Sequence, residues 1–299
     1  MTLEKKRKVV EAIRAYMDAK GLSQNKMAPI CEMSPSHVSY VMREDFWSQV
    51  GDEKWQQLAA QFLPSTSWAV YPTVVLRTVH RVCQNAQAKA TAQMVSEYTG
   101  AGKTWALREY ASKTADAYLI ECDTVMRPKE FIREIQRSMG FNIEGTPREM
   151  ILAVTKELLG VQNPLLIFDE ADKLSDAHLM LMKLLFDKLE NRCGFVLCGT
   201  EVLKNKIYKF AMKDKLGYRE FRRRFGNLRS VRKFNPKDKA IGNDILAICK
   251  DQGIEKPDQV RYILDHCDNY GTLRTLIQDL QYKNAIPEPT SKLEAAEAA

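Results

Sequence analysis

The 299 residues are 45% hydrophobic and 28% charged, a balance ordinary for a folded soluble protein with room for one sizeable domain and one or two smaller ones. No stretch approaches the roughly 18 apolar residues that cross a bilayer, and the start MTLEKKRKVVEAIRAYM lacks the apolar run and cleavage site of a secretion signal, so a cytoplasmic protein with no membrane partner is expected. The net charge of +7 is unevenly placed: residues 201–239 hold 14 Lys and Arg against 4 Asp and Glu, a block that reads either as a solvated face or as one that meets phosphate.

Residues 1–65 read as a small helical domain. VVEAIRAYMDAKG places Val9, Ile13, Tyr16 and Met17 at helical spacing and ends at Gly21. In LSQNKMAPICEMSPSHVSYVMRE, Ser23 is a cap candidate, a turn passes through Glu32 and Met33, and Ser34-Pro35 opens the next helix. Packing through Ala28, Met33, Val38 and Val41 would leave Ser36, His37, Ser39, Tyr40 and Arg43 facing out. Ser23, Gln24, Ala28, Met33, Ser34, Val38 and Ser39 match the spacing of the phage-repressor helix-turn-helix, which the segment resembles. It departs at Glu32, where that family usually has Gly, which predicts a less tight turn. The resemblance implies DNA contacts from Ser36, His37, Tyr40 and Arg43; a helical protein-contact module is the alternative, since 9 basic and 8 acidic residues in 1–65 supply little drive toward DNA.

The connector LPSTSWAVYPT and the amphipathic helix VVLRTVHRVCQNAQAK, through Val75, Val79 and Val82, fill residues 66–90 as linker and lead-in. From 91 to 235 short apolar runs alternate with helical patterns. The strand candidates are 92–96, 117–122, 164–169, 194–199 and 230–234, the signature of a parallel sheet with crossover helices. Residues 236–285 read as a small all-α lid and 286–299 as a flexible tail. Seven cysteines without a Cys-x-x-Cys pair and four dispersed histidines predict free thiols and no structural metal.

The strongest local signal is SEYTGAGKTW at 96–105, between a strand and a helix. Backbone N–H groups of Gly100, Ala101, Gly102, Lys103, Thr104 and Trp105 would cradle phosphate at a helix N-terminus. Lys103 would reach the β- and γ-phosphates of ATP, and the Thr104 hydroxyl would hold Mg²⁺. The full pattern GxxxxGK[ST] wants Gly at 97, where this chain has Glu97. In LLIFDEADKL the apolar run forms a buried strand, Asp169 at its end would fix Mg²⁺, and Glu170 would act as general base. The string Asp169-Glu170-Ala171-Asp172 spells the DEAD-box signature, but 130 residues after Asp169 leave no room for a second helicase lobe beside the lid.

These motifs together resemble the AAA+ ATPase family over roughly residues 70–285. The resemblance implies an α/β P-loop three-layer sandwich with a five-stranded parallel sheet, a helical lid, and Mg²⁺-dependent hydrolysis of ATP. It assigns Thr200 as a polar sensor after the fourth strand. Arg224, with Arg222 and Arg223 as adjacent alternatives, is the finger that reaches a neighbouring subunit's ATP, and Arg274 is a lid sensor. With the helix-turn-helix in front, the chain looks like the phage Mu B-type transposition-regulator ATPases, related to those of Tn7-like and IS21-like elements. That implies ATP-dependent oligomers or helical filaments on double-stranded DNA, selection of target sites and activation of a partner transposase. Arg127, Lys129, Lys204, Lys206 and Lys209 are the candidate backbone contacts. A helicase loader or replication initiator, and a repressor-like switch that senses ATP with little turnover, are the competing expectations.

Overall fold

The computed structural model describes residues 1–63, 70–96, 99–226, 228–230 and 234–285. The chain divides into two compact units. One comprises Met1–Val70, Thr78–Glu97 and Thr104–Val231; the other comprises Tyr71–Arg77, Tyr98–Lys103 and Arg232–Ala299.

The first unit opens with helices α1 (Leu3–Lys20), α2 (Gln24–Ile30) and α3 (Pro35–Met42), a 3₁₀ turn at Glu44–Gln49, and α4 (Asp52–Phe62). The side chains of Thr2, Ser23 and Ser34 cap the first three helices by accepting the N–H of Lys5, Lys26 and His37. Val9, Ile13, Met27, Ala28, Val38, Val41, Trp47 and Trp55 form the bundle's core, with Met33 packed at its margin. The Trp47 indole N–H donates to Val41 O at 2.7 Å, so the ring is buried without stranding its donor.

The turn between α2 and α3 is tighter than expected. Glu32 itself takes the left-handed conformation, at φ +52°, and Met33 N–H reaches back to Ala28 O at 2.9 Å. A side chain there costs about 1–2 kcal/mol relative to glycine. The Glu32 carboxylate lies 2.8 Å from Arg137 Nη1. The surface of α3 is also less open than the spacing predicts. Ser36, His37 and Arg43 are exposed, whereas Ser39 and Tyr40 are half-buried, Tyr40 stacking on Phe46 with ring centroids 5.3 Å apart.

The rest of this unit alternates strands and helices: β1 (Ala92–Ser96), α6 (Lys103–Lys113), β2 (Ala117–Glu121), α7 (Pro128–Ser138), α8 (Pro147–Leu159), β3 (Leu165–Asp169), α9 (Asp176–Lys188), β4 (Gly194–Gly199), α10 (Glu201–Met212), α11 (Tyr218–Phe225) and β5 (Leu228–Ser230). Helix α5 (Val74–Lys89) leads in from the other unit. The strands are parallel in the order β2-β3-β4-β1-β5. Every residue of β1, β3 and β4 is buried, which is why these strands read as unbroken apolar runs. Leu166, Phe168, Phe195 and Leu197 face a layer of Phe131, Ile135, Met150, Val154, Leu179, Met182, Phe221 and Phe225, and strand alternation turns Leu165, Ile167 and Val196 to the opposite face. The strand expected at 230–234 pairs instead as the three residues Leu228–Ser230, opposite Met94–Ser96. Residues 231–233 lie outside the described residues, as do the connector 64–69 and the tail 286–299.

The helical bundle seats on α7. A Cβ at Gly140 (φ +77°) would lie 2.6 Å from Lys26 O, so only glycine permits this approach. Lys20 donates to Ala117 O and lies over the rings of Tyr16 and Tyr118.

The second unit holds α12 (Lys239–Asp251), α13 (Pro257–His266) and α14 (Tyr270–Ala285) around Ile241, Ile245, Ile263, Leu273 and Ile277. Residues 71–77 are tied to it. Asp244 accepts Val74 N–H at 2.7 Å and the Tyr270 hydroxyl at 2.9 Å, and the Tyr71 hydroxyl donates to Asp251. Among the described residues no helix is long and apolar enough to cross a membrane.

Burial lowers the Lys20 ammonium to about 8, against a partial opposing effect of Asp116. The unfolded chain therefore binds an extra proton between about pH 8 and the ordinary lysine value near 10.4, so stability at this residue rises with pH across that window. Lys20→Met should stabilise the protein at pH 7 by up to about 3 kcal/mol, and the advantage should shrink toward pH 10. Chemical denaturation of both chains at the two pH values measures it; an advantage independent of pH would contradict the assignment.

Candidate functional site

The phosphate-loop turn belongs to the second unit up to Lys103. Gly100 and Gly102 have φ of +81° and +86°, which glycine adopts freely, and left-handed residues alternating with ordinary ones turn successive N–H groups toward one anion-sized hollow. Ala101 and Lys103 are buried. Glu97, the departure from the loop pattern, lies outside the described residues. A Cβ at Gly100 would sit 2.6 Å from Asn269 Oδ1. That oxygen also accepts Thr272 N–H at 2.9 Å, so Asn269 caps the start of α14 and packs on the turn at once. Arg274 follows on α14, half-buried. Asn269 carries no motif signal in the sequence beyond that of a cap residue ahead of a helix.

In the first unit, helix α6 continues from the turn with Thr104 half-buried and Trp105 exposed. Ser96 ends β1 opposite Gly199, buried, with its hydroxyl unpartnered. Asp169 ends β3 and is 2% exposed. Its Oδ1 accepts Glu170 N–H at 2.9 Å, while Oδ2 is buried with no hydrogen-bond partner. A buried carboxylate oxygen is costly without a donor or a cation, and a hard divalent ion or its bound water is the partner such an oxygen takes. The residues fit Mg²⁺ on that ground.

Glu170 is half-exposed, has φ +52°, and its Oε2 is 2.5 Å from Lys173 Nζ. Arg108 on α6 forks onto Glu121 at 2.8 and 3.0 Å. That pair, then the charges of Asp169 and Glu170, raise the guanidinium above its ordinary value, which places the flank of α6 beside the end of β3. Burial pushes the Cys122 thiol up, with Asp169, Asp172 and Glu170 adding to it. The carboxyl ends of β2 and β3 thus gather negative charge where open α/β sheets bind ligands.

Three residues of the expected set hold other contacts. Thr200 accepts Val202 N–H at 3.3 Å as the cap of α10, and its own N–H donates to Asp172 Oδ1 at 3.0 Å; Asp172, not singled out in the sequence, fixes this strand end. Arg224 is turned inward, ion-paired with Asp187 on α9 and over the ring of Phe186. Arg222 covers Tyr208 at 4.4 Å. Arg223, between them, is exposed, and among the described residues it has no hydrogen bond or ion pair. The cationic candidates divide in the same way. Lys129 pairs with Glu144 at 3.4 Å and Lys206 with Asp176 at 3.4 Å. Arg127 and Lys209 are exposed and Lys204 is half-buried.

A family model described as an AAA domain matches residues 95–207, from the end of β1 into α10. The central segment is thus similar to an AAA domain. Similar solved structures include a DNA replication initiation factor, at 17% identity and TM-score 0.47, covering 73% of this chain and 63% of its own. Another is NtrX from Brucella abortus in complex with ATP, at 11% identity and TM-score 0.48, covering 85% of this chain and 61% of its own. The chain therefore spans less than two thirds of the length of these structures. No curated protein matches it.

Gly100→Ala would combine a left-handed alanine with the Asn269 collision and should weaken ATP binding by about tenfold or more, read by titration with a fluorescent ATP analogue. Asn269→Ala in the same chain removes the collision but not the strained φ, so rescue should be partial. Full affinity in the single variant would refute the loop's role.

Proposed function

We propose that the chain is a Mg²⁺-dependent ATPase that assembles with ATP on duplex DNA, selects target sites there and activates a partner transposase. The buried, unpartnered Asp169 Oδ2 is the observation that carries the nucleotide part. It sits at the strand end of an AAA domain, where a metal–phosphate complex is the ligand that compensates it. In this reading Thr104 and Asp169 would hold Mg²⁺, which would supply positive charge beside the phosphates when bound. Lys103 and the N–H groups of 100–105 orient the triphosphate. Glu170 takes the proton of the attacking water, with Thr200 as polar neighbour and Arg274 contributing from the lid.

The finger is assigned to Arg223, which is exposed where Arg224 is turned inward, since a finger must reach a second subunit. Active assemblies are then oligomers or filaments. Arg127, Lys204 and Lys209, with Lys129 and Lys206 held closer to the surface by acids, meet the DNA backbone without reading sequence. The α2–α3 pair serves as a helix-turn-helix, with Ser36, His37 and Arg43 exposed on α3 and Tyr40 at its edge. Transposition rests on the sequence resemblance of the whole arrangement.

The test is hydrolysis and imaging with linear duplex DNA. Wild type with MgATP should turn over ATP and coat the duplex. Lys103→Ala should lose nucleotide binding and assembly. Glu170→Gln should bind ATP, hydrolyse about a hundredfold more slowly or less, and stay on DNA longer. Arg223→Ala should bind ATP yet lose turnover, while Arg224→Ala mainly loses stability. No affinity for MgATP in the folded wild type would end this reading. Capture of a replicative helicase and no transposase would replace the transposition role with helicase loading.

A further inference from the structure

The turn between α10 and α11 leaves two apolar side chains in solvent. Leu216 is 94% exposed, and Met212, four positions before it, is 75% exposed. A single surface leucine needs no explanation, but this one is held out by anchored neighbours. Lys215 N–H donates to Phe210 O and Tyr218 N–H to Lys215 O, both at 3.0 Å. The Lys215 ammonium lies 4.2 Å from the centre of the Phe210 ring and pairs with Asp176. The other oxygen of Asp176 accepts the buried Tyr218 hydroxyl at 2.5 Å. Gly217 is left-handed, at φ +81°, and a Cβ there would lie 2.5 Å from Met180 Sδ, so the turn sits directly on α9. Leu216 is therefore flanked on both sides by residues tied to α9 or α10 while its own side chain touches water.

The same turn is strongly cationic. Residues 209–223 hold six Lys and Arg against Asp214 and Glu220. Lys215 and Arg219 are engaged by acids, and Arg222 reaches the tip, its Nη1 3.9 Å from Met212 Sδ. Lys209 and Lys213 are exposed, and among the described residues they form no ion pair. Two apolar side chains are too few for a stable protein interface, which covers about 800 Å² on each partner, and too few to anchor a chain in a bilayer. They match the small wedge, leucine or methionine among others, that minor-groove proteins push between base pairs, and the cations beside them match the flanking phosphates.

We propose that the α10–α11 turn is a wedge for duplex DNA. Leu216 enters a base step from the minor groove, Met212 covers the apolar edge that the step exposes, and Lys209 and Lys213 meet neighbouring phosphates. The inference rests on the duplex-DNA part of the proposed function and gives it a mode of selection. Backbone contacts are indifferent to the step beneath them, whereas a wedge costs unstacking and favours steps that open readily, pyrimidine–purine steps above all. Target choice at this turn follows deformability, with no base edge read.

The experiment adds full-length protein, with Mg²⁺ and a non-hydrolysable ATP analogue, to a short duplex that has one TA step. Anisotropy of an end label gives affinity, and 2-aminopurine in place of the adenine of that step brightens when it unstacks. Wild type should bind and raise the fluorescence. Leu216→Ser should remove the rise and weaken binding about tenfold with an unchanged salt slope and unchanged nucleotide affinity, and Leu216→Met should restore both signals. Lys213→Ala should keep the rise and reduce the slope of log affinity against log salt by about one. A Leu216→Ser chain with wild-type affinity and fluorescence overturns the wedge, as does a wild type that binds tightly without brightening. Normal duplex binding by Leu216→Ser together with lost self-association in DNA-free light scattering overturns it too, and assigns the turn to a second copy of the chain. A wild type with no affinity for the duplex removes the DNA part of the proposed function and the wedge with it, leaving the ATPase part standing.

Discussion

The carboxyl end of β3 depends on one unbalanced contact: Asp169 is buried with a single oxygen satisfied, and by a neighbour's backbone N–H. An isolated strand could not hold that group out of water, because the cost of an unpaired buried oxygen is comparable to one or more hydrogen bonds, about 1–3 kcal/mol. Here β3 is flanked by β2 and β4 along its length, and Phe168 beside it is stacked on Phe131 with centroids 5.6 Å apart. The sheet therefore fixes the carboxylate's position, and the left-handed Glu170 that follows adds a second cost at the adjacent residue. Two unfavourable local features side by side, both stabilised by the surrounding core, are what a preorganised binding site requires.

What was legible in the sequence follows from burial. β1 and β4 have the bounds their apolar runs predict, because strands covered on both faces leave no alternation to misread, and α5 begins and ends with its amphipathic pattern. The caps at Ser23 and Ser34 were legible for the same local reason. The fifth strand was not: three residues at a sheet edge carry too little apolar signal to fix a register. Nor was the choice among three consecutive arginines. On α11, Tyr218, Phe221 and Phe225 are buried, and the arginine beside Phe225 is drawn inward with it, to an aspartate on α9 that no local pattern announces. Glu32 misled in the opposite sense, since its side chain meets a partner over a hundred positions away in the chain, Arg137.

The basic block reads differently once its partners are known. Lys206 and Lys215 both bond Asp176, Arg219 pairs with Asp214, and Arg224 with Asp187. Part of the excess charge thus organises α9, α10 and α11 against one another, where a partly shielded pair is worth more than an exposed one. Cations already engaged in this way contribute little to a phosphate contact, because they must first give up an acid. The capacity to meet a polyanion falls on side chains without such partners, Arg127, Lys204, Lys209 and Arg223 among them, and these come from separate elements rather than from one linear run.

The phosphate turn carries a constraint of its own. The peptide bond from Lys103 to Thr104 is where the chain passes from one compact unit to the other, and Gly100 packs on the same Asn269 that caps α14. The loop up to Lys103 and the lid's first turn belong to the same unit, so the contact at Gly100 ties the loop's backbone to that turn. Substituting any side chain for Gly100 disturbs both together. The glycine is therefore required for a reason beyond the conformational freedom that the motif implies: the lid cap occupies the volume that a Cβ would need, so the shape of the anion cradle and the start of α14 are set by a single contact.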